Sequence, residues 1–303
     1  MKKSTSLHVL NNDNGLSRIN KIRWFAYNII NNSFPKIKSD PDLSQEIFQV
    51  SDFNLSLETT SSPSRRLCDI FWHSIPWASI AKALNDSVKV LEVGCGSGIY
   101  GNLINNYLNG RLKNYIGIDI KKNPKWGKFN NVKKFKFVVG NANSVSKLLT
   151  NSNLVITQSA LEHFNEDITF FRQIVNYNKK MKKPMIQIHL MPSGPCLYTF
   201  LWHGVRQYTP RTISKITKLF DHNTKKYLYC LGNKSLNKLH QKYITIPRLL
   251  KKDDQRYLRK DQYNKDLSDE IIKYVNNDKQ TNHPSFYALV LQSNIPSSKQ
   301  IFL

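Results

Sequence analysis

Apolar and polar residues recur with two different periods along this chain, and the changeovers mark its elements. Short, nearly unbroken apolar runs stand at Val88–Val93, Asn114–Ile120, Lys134–Val139, Leu154–Ser159 and Met185–Leu190. Runs of this kind are strands buried on both faces. Between them the apolar spacing widens to three and four. Ile99, Leu103, Ile104, Tyr107 and Leu108 line one face of a helix over 99–108. Ile168, Phe171, Ile174 and Val175 line another, with Asn165 as its expected cap and Glu166 and Asp167 in its first turn. Strands alternating with helices predict an α/β fold with a parallel, doubly wound, Rossmann-like sheet.

Two segments lie outside this alternation. Residues 1–87 begin polar and then turn helical, with Leu67, Ile70 and Phe71 on one face of a helix over Pro63–Ser74. Residues 195–283 separate the fifth strand from the last apolar run. There Thr209 caps a helix that has Pro210 at its first position and Ile213, Ile216 and Phe220 on its face. Lys251–Lys260 is charged and reads as solvated. The expected organisation is a helical N-terminal cap (1–87), an alternating strand–helix core (88–194), a helical insertion (195–283) and a terminal strand (284–303).

The first core strand runs straight into Gly94-Cys95-Gly96-Ser97-Gly98 and then into a helix. A strand, a glycine loop and a helix N-terminus let backbone approach a nucleotide closely. Asp119 ends the next strand, where such folds set a carboxylate on ribose hydroxyls. Gly96-Ser-Gly-Ile-Tyr-Gly101 matches the dinucleotide pattern literally, but the first glycine after the strand is Gly94, and counting from it puts Ile99 in the third position. Glu92, two residues before Gly94, would also repel a pyrophosphate. It suits a ligand carrying a sulfonium and an ammonium group.

The segment from Glu92 to Gly98 resembles the first motif of the class I S-adenosylmethionine-dependent methyltransferases. Asp119 is similar to their ribose-binding acid, Val138–Ala142 resembles the segment whose polar residue holds the adenine edge, and Leu154–Phe164 resembles the fourth strand and its following loop. The four stand in the family's order. Asn141 stands where many relatives have Asp, and can both accept from and donate to adenine. The resemblance implies a seven-stranded, mostly parallel sheet with Phe286–Leu291 as its antiparallel last strand. It also implies S-adenosylmethionine as cofactor, bound by Glu92, Gly94, Cys95, Gly96, Gly98, Asp119, Ile120, Asn141, Ala142 and Gln158.

Composition narrows the setting. The 303 residues are 40% hydrophobic, enough for a substantial core. The four cysteines show no paired spacing, so neither a disulfide framework nor a metal set is expected. No apolar run follows the basic N-terminal residues and none nears the ~18 residues of a membrane span, so a cytoplasmic protein is expected. Lys and Arg number 45 against 21 Asp and Glu, a formal charge of +24. That charge suits a nucleic-acid partner. The preponderance of Lys and Asn, both A-rich codons, and the dispersal of the lysines along the chain suit genomic bias.

Methyl transfer to oxygen needs a group that takes the acceptor's proton. His163, His189 and His203 are the candidates, and each also has a reading as a structural histidine. Trp202, Arg206 and Tyr208 fall in the block Tyr198–Pro210, whose aromatics and arginine suit a sugar ring or an anionic group. That block resembles a segment of methyltransferases from bacterial surface-polysaccharide clusters, which implies a glycan hydroxyl as acceptor. The expected function is methylation of a small-molecule or glycan acceptor. The alternatives are an RNA methyltransferase, although Gln158-Ser-Ala-Leu161 replaces the Asn-Pro-Pro-Tyr type of motif used on base amino groups, and a non-catalytic scaffold of the same fold.

Overall fold

A computed structural model describes residues 4–10, 13, 15–33, 39–48, 50, 60–199, 206–276, 283–299 and 301. Its described strands are β1 (Leu43–Ile47), β2 (Val88–Val93), β3 (Leu112–Asp119), β4 (Phe135–Val139), β5 (Leu154–Gln158), β6 (Met185–Pro192), β7 (Thr224–Leu231) and β8 (Phe286–Ser293). They form one sheet in the order β1-β7-β8-β6-β5-β2-β3-β4. β8 runs antiparallel to β6 and β7, and every other pairing is parallel.

All five core strands and the last strand lie where the apolar runs placed them, within two residues at each end. The expected count of seven is corrected to eight among the described residues. The segments expected to be helical each supply a strand, β1 from residues 1–87 and β7 from residues 195–283, and the two pair with each other.

Helices cover both faces, which is why β2, β5, β6 and β8 are apolar almost throughout. Alternation sends successive residues to opposite layers. Val90, Ile156 and Ile188 pack beneath the helix Pro63–Ser74 and the helix Ile99–Tyr107 with Leu67, Phe71 and Ile104. Leu91, Val155 and Met191 pack against the helix Asp167–Met181 and the helix Pro210–Thr217 with Phe171, Ile174 and Ile213. Ser62 caps the first of these helices by accepting from the Arg65 amide, and Thr209 with Thr212 forms a capping box on the last.

Two local expectations are corrected. Ile99 is 59% exposed and leaves the expected face, while Ile104 and Leu108 are buried, Leu103 and Tyr107 pack against the core, and Tyr100 and Gly101 join them. Asn165 does not cap the helix Asp167–Met181. Its N-cap is Glu166, without a side-chain bond, and Asp167 instead accepts from its neighbour's amide at Ile168. No described helix is long and apolar enough to cross a membrane.

Candidate active site

β2 lies between β3 and β5, so the chain leaves it in one direction towards β3 and the sheet continues from β5 in the other. Ligands of open α/β sheets bind beyond the strand ends at such a reversal. Here β2 delivers Glu92 and the backbone turns through Gly94 and Gly98, at φ +77° and +78°. A Cβ on Gly94 would stand 2.4 Å from the Cβ of Ala160, so only glycine lets this loop rest on the chain that follows β5. The amides of Gly94 and Cys95 donate to the Ile118 carbonyl at 2.8 and 3.1 Å, locking the loop to β3. The Gly96 amide donates to Oδ2 of Asp119 at 2.8 Å, and Trp126 Nε1 donates to the Gly96 carbonyl at 2.8 Å.

Glu92 is buried and accepts from the Tyr115 hydroxyl at 2.6 Å. Burial, working against that hydrogen bond, pushes its carboxyl up to about 8, and the neighbouring Asp119 carboxylate adds to the rise. Ile120 beside Asp119 is exposed, and no atom lies within 4 Å of where a Gly96 Cβ would be. Asn141 follows β4 at the same sheet end. Its side chain accepts from the Asn143 amide at 2.9 Å and starts the turn that holds Ala142. Gln158 is buried, with Oε1 accepting from Trp72 Nε1 at 2.7 Å and Nε2 donating to Ser159 Oγ at 3.0 Å. Its amide thus fastens the helix Pro63–Ser74 to the end of β5.

Three expected site residues have other work. His189 is fully buried on the face of β6 that meets the helix Asp167–Met181, edge-on to Phe170 and Phe171. Its Nδ1 meets Thr157 Oγ1 at 3.0 Å, and burial drives its pKa down to about 3. It is a neutral core histidine and not a base facing the cleft. Arg206 is fully buried and donates to the carbonyls of Leu161, Glu162, Phe164 and His8 and to Thr5 Oγ1. It therefore pins the loop after β5 to the N-terminal segment and is not open to substrate. Tyr208, also fully buried, donates to Asp167 Oδ2 at 2.9 Å and approaches the Leu161 carbonyl at 3.1 Å. Trp202 and His203 lie outside the described residues.

The loop after β5 also lines a cavity of about 720 Å³, together with Pro192 at the end of β6 and Phe286 at the start of β8. Ser159, Glu162 and His163 line it from the loop after β5. Asp13 stands beside His163, with its carboxylate oxygens 2.7 and 3.0 Å from Nδ1. Glu162 is 3% exposed and its Oε2 has no hydrogen-bond partner among the described residues. Burial, opposed by His163, raises its carboxyl to about 7. Arg248, Lys252 and Arg256 also line the cavity. Sequence reasoning passed over Glu162 although it stands in the Leu-Glu-His run it singled out. Asp13, Arg248, Lys252 and Arg256 gave no signal, because only the fold brings residues so far apart along the chain together.

Residues 91–181, just under a third of the chain, match a family described as Methyltransferase domain. The stretch includes the glycine loop, Asp119, Asn141 and His163. No curated protein matches the chain. Similar solved structures include a SAM-dependent methyltransferase from Archaeoglobus fulgidus, at 17% identity over 77% of this chain and 95% of that one, with a TM-score of 0.45. Another is the plantazolicin methyltransferase BamL in complex with a triazolic desmethylPZN analog and SAH, at 16% identity over 77% and 90%, with a TM-score of 0.40. A SAM-dependent methyltransferase from Aquifex aeolicus covers 44% of this chain and 74% of its own, at 14% identity and a TM-score of 0.31.

Residues 91–181 are thus similar to a methyltransferase domain, and the donor that the sequence motifs imply is S-adenosylmethionine. The residues fit that donor. Glu92 and Asp119 give the crevice two carboxyl groups for a cationic ligand, Gly96 leaves its face open, and Ile120 offers exposed apolar surface beside Asp119.

Proposed function

We propose that the chain methylates a hydroxyl of a small-molecule or glycan acceptor, in the cytoplasm, and that the acceptor occupies the cavity beyond β5 and β6. The observation that carries this reading is the contact of Gly94 with Ala160. It sets the glycine loop against the same five-residue stretch that lines the cavity with Ser159, Glu162 and His163. Donor crevice and acceptor cavity therefore share one wall. The resemblance of the Tyr198–Pro210 block supports a glycan of surface-polysaccharide synthesis as the acceptor.

Asp119 would accept from the ribose hydroxyls while its hydrogen bond to Gly96 fixes its orientation. Ile120, Asn141 and Ala142 would flank the adenine. Glu92 and the Gly94–Cys95–Gly96–Gly98 loop would face the amino-acid end, and Gln158 would hold the floor between the two sites. When bound, S-adenosylmethionine supplies an electrophilic methyl group, and the C–S bonding pair stays on sulfur as the methyl is taken. His163 would receive the acceptor's proton. With Nδ1–H held by Asp13, the lone pair lies on Nε2, and the carboxylate steadies the imidazolium that forms.

Calorimetry tests the donor half of this reading. Asp119→Ala should weaken S-adenosylmethionine binding by about 10- to 100-fold, the worth of hydrogen bonds to a charged group. Unchanged affinity in that variant, or no binding by the wild type, would overturn it.

A further inference from the structure

The helix Arg18–Ser33 carries aliphatic side chains on its outer face. At 3.6 residues per turn, Ile19, Ile22, Ala26 and Ile30 fall within about 80° of arc. Ile19, Ile22 and Ile30 are 64%, 71% and 49% exposed. Trp24 and Asn28, on the opposite side, are buried. There Asn28 Nδ2 donates to the Trp24 carbonyl at 2.8 Å and meets His8 Nε2 at 3.3 Å. Water therefore meets a stripe that a surface helix of a globular protein ordinarily turns inward. The helix holds Arg18, Lys21 and Arg23 and no acidic residue. Helical spacing sets the exposed Arg18 and Arg23 on either side of the stripe.

A second exposed apolar segment is joined to this helix through the chain that follows β6. The helix packs on the turn Gly194–Cys196. Phe25 meets the exposed Tyr198 with ring centroids 6.2 Å apart. The neighbouring Thr199 carbonyl accepts from Thr245 Oγ1 at 2.6 Å. Directly after Thr245 come Ile246, Leu249 and Leu250, all exposed, then the exposed Lys251, Lys252 and Asp253.

We propose that the outer face of the helix Arg18–Ser33 docks the protein on the surface of an anionic lipid bilayer. Ile19, Ile22 and Ile30 enter the boundary between headgroups and acyl chains, and Arg18 and Arg23 lie at the lipid phosphates. Apolar stripe and flanking cations each need a partner, and an anionic bilayer serves both. Nucleic acid would use the arginines and leave the isoleucines in water. A second copy, set stripe to stripe, would bring the Arg18 and Arg23 of two chains together, each chain at a formal +24. The bilayer instead draws on that charge. The inference concerns a surface outside the donor crevice and needs no turnover to be read.

The test is cosedimentation with vesicles of phosphatidylcholine alone and of equal parts phosphatidylcholine and phosphatidylglycerol. The chain is expected to pellet with the anionic vesicles and to be released as salt is raised. Each isoleucine carried out of water is worth roughly tenfold in partitioning and each cation at the surface about fivefold. The double variant Ile19→Ser, Ile22→Ser should therefore partition roughly 100-fold more weakly, and Arg18→Gln, Arg23→Gln roughly 25-fold. Thermal stability should stay at the wild-type value in both, because all four side chains are exposed. Acrylodan attached at Ile22→Cys reads insertion directly, since the four native cysteines are buried. Its emission should shift to the blue on anionic vesicles. Failure to pellet with either vesicle overturns the inference. So does partitioning that ignores the isoleucine pair, or an unshifted emission, because the chain is then held by charge alone. A dimer in lipid-free solution that the isoleucine pair dissociates overturns it too and assigns the stripe to a second copy. Donor calorimetry is a separate measurement, so none of these outcomes touches the methyltransferase reading.

Discussion

Tyr115 donates its hydroxyl hydrogen to Glu92 at 2.6 Å, from one strand to the next, and this is the hydrogen bond the structure gives the buried carboxyl. One neutral donor does not replace the water that Glu92 has lost, so the acid form prevails up to about pH 8. The folded protein therefore holds a proton that the unfolded chain releases near pH 4.5.

A carboxyl raised in this way contributes stability below its unfolded pKa and loses it as pH rises through the folded value. Glu92→Gln keeps the shape and never ionises. Thermal unfolding without donor should show the variant gaining on the wild type between pH 5 and pH 9. A constant gap across that range would mean that Glu92 is not strained by burial.

The three glycines of the loop should not be equivalent. Gly94→Ala brings a Cβ to 2.4 Å from Ala160 at a φ of +77°. Overpacking of that kind costs about 1–3 kcal/mol, with backbone strain added. Gly96→Ala meets no atom within 4 Å and suffers only its φ of +52°. Urea unfolding should therefore rank Gly94→Ala as clearly the less stable. Equal losses would show that the contact between the two loops carries no load.

Arg206 offers a contrast between a structural and a binding arginine. Its guanidinium is fully buried among carbonyls of the loop after β5. Arg206→Met leaves those carbonyls without their donor, at a cost of about 3 kcal/mol or more. The expected result is a large fall in unfolding free energy. A stable variant whose only defect is a raised KM for acceptor would return Arg206 to the substrate site.

The core strands were legible because burial on both faces leaves little room for polar residues, so their apolar runs are nearly continuous. The glycine loop and Asp119 were legible for a different reason: close backbone approach and positive φ admit few residue types. β1 gave no such signal. Leu-Ser-Gln-Glu-Ile is an edge strand with Ser44 and Gln45 exposed, and nothing in five half-polar residues separates it from a loop. β7 opens Thr-Lys-Lys, and Lys226 is buried there with its Nζ donating to Asp40 at 3.0 Å, the Phe220 carbonyl at 3.3 Å and Asp42 at 3.4 Å. Arg206 and Tyr208 were misread because a buried arginine and an exposed one look alike in sequence. Only their partners, Leu161 and Asp167 among them, tell the two apart.

The pairing of β1 with β7 sets Leu43 beside Lys226 and Ile47 beside Cys230. On the ribosome, β1 must wait while well over half of the chain is made before β7 emerges, roughly 10–40 s at ~5–20 residues per second. The margin of the sheet is written early and closed late, so a growing chain stalled before residue 224 carries this strand with its amides unclaimed by β7.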